Sequence, residues 1–238
     1  MDPQTIASIS MQNDLLRMND ISQNLANVLT PGYKRHVSVT RSFDSFVSEN
    51  AAIDPHSGNT GSSVIDPSSG TLRATKNPMD IAIEGEGFFE VTTDKGPAYT
   101  RQGALKIDTQ GRLTNVQGLP LMGTGGELFT SGTSFSIDES GNVKQGTQTI
   151  GQIKVVQFSK AESLLPIGDG LFQQGAAQIT NKNDTSKVRG GYLENSNVSS
   201  PQEMIRLTET VRHFESMQKL MQGYDDVFQK AITKLGDF

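Results

Sequence analysis

Ser200-Pro201-Gln202-Glu203-Met204-Ile205-Arg206-Leu207 opens the segment whose reading decides the fold. Serine, proline and then glutamate read as a helix start. The hydroxyl accepts from a free amide, proline suits the first turn, and Glu203 closes a capping box. Apolar residues then recur in steps of mostly three and four, at Met204, Leu207, Val211, Phe214, Met217, Leu220, Met221, Tyr224, Val227, Phe228, Ala231, Ile232 and Leu235. This spacing lines one side of a helix, which at about 1.5 Å rise per residue extends roughly 50 Å. Arg206, Glu209, Arg212, Glu215, Lys219, Asp226 and Lys230 fall on the opposite side. A stripe of that width needs a partner.

The other end of the chain offers one. Asp2-Pro3 reads as a cap and first helical residue, and Ile6, Ile9, Met11, Leu15, Met18, Ile21, Leu25 and Val28 follow near helical spacing. Thr30-Pro31-Gly32 stops the helix, because proline lacks the donor and restrains the residue before it. Asn13, Asn19, Asn24 and Asn27 make it a weak helix, marginal by itself in water. The simplest arrangement packs it on the C-terminal helix. Two helices have too little interior to cover both stripes. Met11, Leu15, Met18, Ile21, Leu25, Val28, Met204, Leu207, Val211, Phe214, Met217, Met221, Tyr224, Phe228 and Leu235 are therefore expected to form an assembly interface.

Strand signals dominate residues 71–180. Asp94-Lys95-Gly96, Asp108-Thr109-Gln110-Gly111 and Asp138-Glu139-Ser140-Gly141 each separate two short β-prone runs, as hairpin turns do. Glu84-Gly85-Glu86-Gly87 reads as another hairpin turn, and residues 152–158 as one long strand. Residues 49–70, rich in Gly, Ser and Pro, read as a linker. The expected fold is α+β. Its N- and C-terminal long helices pair as a coiled coil over residues 1–32 and 198–238. Residues 33–70 connect, 71–180 form a central antiparallel all-β domain, either a sandwich or an irregular barrel, and 181–197 return.

Composition narrows the function classes. The 238 residues carry a formal charge of −5 and no basic cluster, which argues against nucleic acid as a partner. There is no cysteine, hence no disulfide or thiolate site. Met1-Asp2-Pro3-Gln4 lacks the features of a cleavable signal, and no apolar run reaches spanning length, so no direct membrane insertion is expected. His36, His56 and His213 have no metal-ligand spacing. Gly85-Glu86-Gly87 lacks the third glycine of a dinucleotide loop, and Gly123-Thr124-Gly125-Gly126 has no following lysine. Asp138 to Asn142 departs from the calcium-loop pattern. No catalytic, cofactor-binding or metal residue is singled out, and no cofactor is expected. The rival from another class is an enzymatic or ligand-binding β-protein that dimerises through its helices.

Four segments carry a resemblance. They are Asn24-Leu25-Ala26-Asn27-Val28-Leu29-Thr30-Pro31-Gly32-Tyr33-Lys34-Arg35, the run from Asn77-Pro78-Met79-Asp80 through Phe88-Phe89-Glu90-Val91, Tyr99-Thr100-Arg101-Gln102-Gly103 with residues 108–113, and Gly191-Tyr192-Leu193-Glu194-Asn195-Ser196-Asn197-Val198. In this order they resemble the bacterial flagellar basal-body rod proteins. The resemblance implies a structural, non-enzymatic subunit that leaves the cytoplasm by type III export without signal cleavage. It would polymerise helically into a periplasm-crossing rod, with other rod subunits, and with hook or ring proteins as further partners. Thr30-Pro31-Gly32 and Arg212-His213-Phe214-Glu215-x-x-Gln218-Lys219 are similar to the proximal rod type, while residues 83–91 look more like the distal type. Both chain ends are expected to be largely disordered until assembly orders them.

Overall fold

The computed structural model describes residues 3–39, 62–130, 132, 135–180 and 186–236. The Asp2 cap, most of the Gly/Ser/Pro-rich linker and the Leu235 side chain lie outside the described residues. The chain divides into two compact units.

The first unit takes residues 1–25, 36–63 and 199–238. Helix α1 spans Pro3–Ala26 and helix α2 spans Ser200–Gly236, 24 and 37 residues, or about 36 Å and 55 Å. The Ser199 carbonyl accepts from Glu203 N–H at 3.0 Å and starts the α2 ladder. The two helices are in contact and antiparallel. Gln4 Nε2 donates to Asp225 Oδ1 at 3.1 Å, His213 Nδ1 lies 2.6 Å from Asp14 Oδ2, and Asn24 Nδ2 donates to Glu203 Oε2 at 3.1 Å. As the α1 number rises, its α2 partner's number falls in step.

The second unit, residues 26–35 and 64–198, is β-structure. Its largest sheet has six strands in the order Leu165–Gly168, Leu171–Gln173, Gly96–Thr100, Phe88–Thr93, Val155–Phe158 and Ile179–Thr180, each antiparallel to its neighbour. Strand Phe88–Thr93 shows the period-2 logic that builds the core. Phe89 and Val91 point into a cluster with Ile81, Leu113, Leu121 and Val143. Phe88, one residue out of phase, enters a second cluster with Tyr99, Val156 and Phe172. The sheet is thus covered on both faces.

The three Asp-x-Gly and Asp-x-x-Gly turns connect paired strands: Phe88–Thr93 with Gly96–Thr100, Lys106–Ile107 with Leu113–Thr114, and Ser136–Ile137 with Asn142–Gln145. Two expectations need correction. Glu84 to Gly87 is not a hairpin turn: Ile81–Glu84 pairs with the distant Lys187–Gly190, while Phe88–Thr93 joins the six-stranded sheet. Residues 152–158 are not one strand either. Gln148–Gln152 and Val155–Phe158 belong to different sheets, separated at Ile153 and Lys154. The Ile153 side chain turns into the core, and its backbone bridges Gly123. Local apolar pattern cannot report either change of partner, because a strand's neighbour is chosen by the whole sheet.

Candidate assembly site

The α1–α2 seam is a heptad pair. On α1 the covered row runs Ala7, Met11, Asp14, Met18, Ile21, Leu25, and on α2 it runs Glu203, Leu207, Thr210, Phe214, Met217, Met221, Tyr224. Steps of four and three alternate throughout, the period that keeps one edge of each helix facing the other. Nine of the residues expected at an interface lie on these rows: Met11, Met18, Ile21, Leu25, Leu207, Phe214, Met217, Met221 and Tyr224. Val28 is half-buried in the turn after α1. Leu15, Met204, Val211 and Phe228 are 54%, 57%, 37% and 52% exposed. Leu15 follows Asp14, and Met204 and Val211 follow Glu203 and Thr210, so each sits one position round the helix from the covered edge. An apolar stripe of helical period is broader than the seam it contains.

Several polar residues occupy the covered edge, and apolar periodicity gives no sign of them. Asp14 and Glu203 are buried, as is Asn24 beside the row. The Asn24 side chain treats residue 36 as a strand would: Oδ1 accepts from His36 N–H and Nδ2 donates to the His36 carbonyl, both at 2.8 Å. Nδ2 also donates to Glu203 Oε2, while Arg206 donates to Glu203 Oε1 at 3.2 Å. The Glu203 carboxylate therefore faces Asn24 and Arg206, a role that a capping-box reading does not include. An asparagine inside a helix against its propensity was the available cue.

The flank and end of α2 remain uncovered. Leu220, Val227, Phe228 and Ile232 are 62%, 64%, 52% and 66% exposed. Gln4 already meets Asp225, and α1 begins at Pro3. Beyond about Val227, α2 has no α1 residue opposite it among the described residues. Apolar side chains left exposed in this way have the character of a surface that binds something.

Inside the second unit, three charged side chains that look like surface residues in the sequence meet in the interior. Glu194 Oε1 accepts from Lys34 Nζ at 2.8 Å and from Gly70 N–H at 2.8 Å, and Oε2 accepts from Arg101 Nη1 at 2.9 Å. All three side chains are essentially inaccessible. Further bonds go to carbonyls: Lys34 to Ser68 at 2.5 Å, Arg101 to Ile83 at 3.2 Å and Gly85 at 2.6 Å, while the buried Arg101 Nε has no hydrogen-bond partner among the described residues. Arg101 also lies over the Phe88 ring, 5.5 Å from its centroid. Burial lowers the Lys34 and Arg101 pKa values, and Glu194 opposes the shift in both. Gly32 makes this approach possible. Its N–H donates to the Glu194 carbonyl at 2.7 Å, and a Cβ there would come within 2.5 Å of the Arg101 carbonyl carbon. Asn197 accepts from Arg35 N–H and donates to the Asp66 and Ser68 carbonyls. Residues 30–35, 99–103 and 191–197, far apart in sequence, are thus tied at one node.

A cavity of about 420 Å³ beside the node is lined by Phe88, Phe158, Arg101, Asp66, Glu86 and Glu162, with several serines. Its described lining contains no histidine to activate a serine. No group of carboxylates and histidines among the described residues could hold a metal ion. Among them, no helix is long and apolar enough to cross a membrane.

Known proteins are similar to this chain in sequence. A model described as the flagellar hook protein FlgE/F/G D1 domain matches residues 82–145, and one described as the flagellar basal body rod FlgEFG protein C-terminal matches residues 189–234. The chain is 30% identical over 250 residues to the flagellar basal-body rod protein FlgG of Bacillus subtilis, covering 94% of this chain and 95% of that one. The chain belongs to the flagellar basal-body rod protein family. This rod protein is also 28% identical to a FlgF of Mesorhizobium japonicum, over 92% of each chain. It is 29% identical to a FlgF of Caulobacter vibrioides, over 99% of each. Relatives of both names match along nearly the full length. The rod protein is accordingly a structural subunit of the basal-body rod, assembled with other rod subunits, and not an enzyme. The C-terminal match spans the third strand of the node and most of α2.

Proposed function

We propose that this rod protein polymerises helically through residues 1–32 and 198–238 into the periplasm-crossing drive shaft, after type III export, with 71–180 as a separate β-domain. The exposed apolar ridge of α2 carries the reading. Val227, Phe228 and Ile232 run past the end of α1 and stay wet in a single copy, so a neighbouring copy or a related rod subunit supplies their cover. Interface residues include those of the seam and, above all, Met204, Val211 and Phe228 on its open side. The ends are ordered by assembly: α1 with its asparagines cannot stand alone, and the entropy of ordering it is offset only by packing. Hook and ring proteins are the outer partners. The proximal rod type is favoured by Thr30-Pro31-Gly32 and the run Arg212-His213-Phe214-Glu215.

Open-ended contacts give filaments, whereas a helix-dimerised ligand-binding protein would close at a fixed size. Basal bodies isolated from cells carrying Phe228→Asp or Leu220→Asp test the proposal. The variant chain is expected to fold and be exported yet be missing from the rod, with motility lost. Normal incorporation of both variants would refute it.

A further inference from the structure

The seam between α1 and α2 is poorly discriminating on apolar grounds. Met11, Met18, Met217 and Met221 occupy four of its half-buried row positions. Thioether chains fill gaps of almost any shape, so they favour no single register. Both rows also repeat every seven residues, and a slide of one heptad again sets apolar against apolar. We propose that two polar pairs, Asp14–His213 and Asn24–Glu203, in which Asp14, Asn24 and Glu203 are buried and His213 is half-exposed, determine the register in which the helices zip together.

Each pair closes one direction of slip. Sliding α2 so that residue 220 faces residue 14 would set a carboxylate that is 2% exposed against Leu220. Asp14 would lose its 2.6 Å contact with His213, and stripping a buried carboxylate of a hydrogen-bond partner is costly. Arg17, 3.7 Å from Asp14, is its other charged neighbour and sits on α1, so it travels with Asp14 and does not distinguish the registers. Sliding the opposite way brings Arg206 to Asp14, a tolerable exchange. It also moves the position facing Asn24 from residue 203 to residue 196, ahead of the start of α2 at Ser200. Asn24 then loses the Glu203 carboxylate. The arrangement in which both pairs form is the one observed. Polar residues at seam positions serve as register pins in helical zippers generally.

The chain has no cysteine, so introduced pairs report register cleanly. Gln4→Cys with Asp225→Cys reads the observed register, and Gln4→Cys with Ile232→Cys reads the slip that sets Leu220 against Asp14. The full chain is oxidised under conditions where far-UV circular dichroism shows both helices formed, and intrachain products are separated by gel mobility. Intrachain cross-links report register wherever the hairpin has formed, in the single chain or in a polymer, so the readout stands apart from the assembly proposal. With Asp14 intact, the 225 cross-link should form roughly tenfold or more faster than the 232 cross-link. Asp14→Leu should bring the two rates within a factor of a few, and Asp14→Asn should fall between. Combining Asp14→His with His213→Asp should restore the preference. Equal preference in Asp14→Leu and the parent would overturn the proposal, as would a swapped pair that behaves like Asp14→Leu. Should Asp14→Leu fail to form the helices, Asp14→Asn decides by the same ratio.

Discussion

Replacing Glu194 with glutamine should unfold the β-rich unit far more easily than any surface substitution. The carboxylate is the only anion hydrogen-bonded to Lys34 and Arg101 among the described residues, and all three side chains are essentially sealed from water. Glutamine keeps the shape and one acceptor oxygen. Its amide would present donors to either Arg101 Nη1 or Lys34 Nζ, and two buried cations would lose their counter-charge. Removing one partner of a buried pair costs about 3–5 kcal/mol, and here two pairs share the partner, which points to the upper half of that range. At roughly 2–4 °C per kcal/mol for a chain of this size, the melting temperature should fall by about 8–20 °C. Differential scanning calorimetry of the full chain reads the shift directly. Because the cost lies in the unpaired cations, Glu194→Leu combined with Lys34→Met and Arg101→Met should recover most of it. A Glu194→Gln variant within about 1 kcal/mol of the parent would refute this account of the node.

Other substitutions test neighbouring parts. Gly32→Ala, at φ +71° and with its Cβ 2.5 Å from the Arg101 backbone, should cost roughly 3 kcal/mol or more, seen as a lower urea midpoint. Hydrogen bonds from Asn142 and then Lys144 hold the Asp138 pKa down at about 2, against 3.8 ordinarily. A depressed carboxyl stabilises the fold above its unfolded pKa and loses that effect as pH falls through the folded one. Asp138→Ala should therefore be less stable than the parent at pH 7, with the gap closing between about pH 4 and pH 2 in an acid titration followed by circular dichroism. Asn24→Ala should loosen residue 36 from α1, so the His36 amide, which donates to Asn24 Oδ1 at 2.8 Å, should exchange at least about tenfold faster with deuterium.

Much of the fold was legible in the sequence wherever its cause is local. Proline positions bounded both helices: Pro3 and Pro201 sit in their first turns, and α1 ends at Ala26, ahead of Thr30-Pro31-Gly32. Glycine closed the three hairpins because those turns need a residue at positive φ, as Gly96, Gly111 and Gly141 show. What escaped was decided at long range. Ile81–Glu84 pairs with a strand about a hundred residues on, and nothing in Ile-Ala-Ile names its partner. Nothing in the local sequence marks Lys34, Arg101 and Glu194 as interior, since single charges almost always lie at the surface; their burial depends on meeting one another. Three of the four segments that carry the family resemblance meet at the node, through residues 30–35, 99–103 and 191–197. Within the site, the apolar stripe of α2 was visible, but its division into a covered row and an open ridge was not. That division follows from where α1 lies and where it begins.

Sedimentation velocity of the purified full chain across a wide concentration range tests the assembly claim most directly. The exposed α2 ridge should make the weight-average sedimentation coefficient climb with concentration without reaching a plateau, and Phe228→Asp should flatten the rise. A single species of unchanged size at every concentration, or a plateau at a closed dimer, would contradict it.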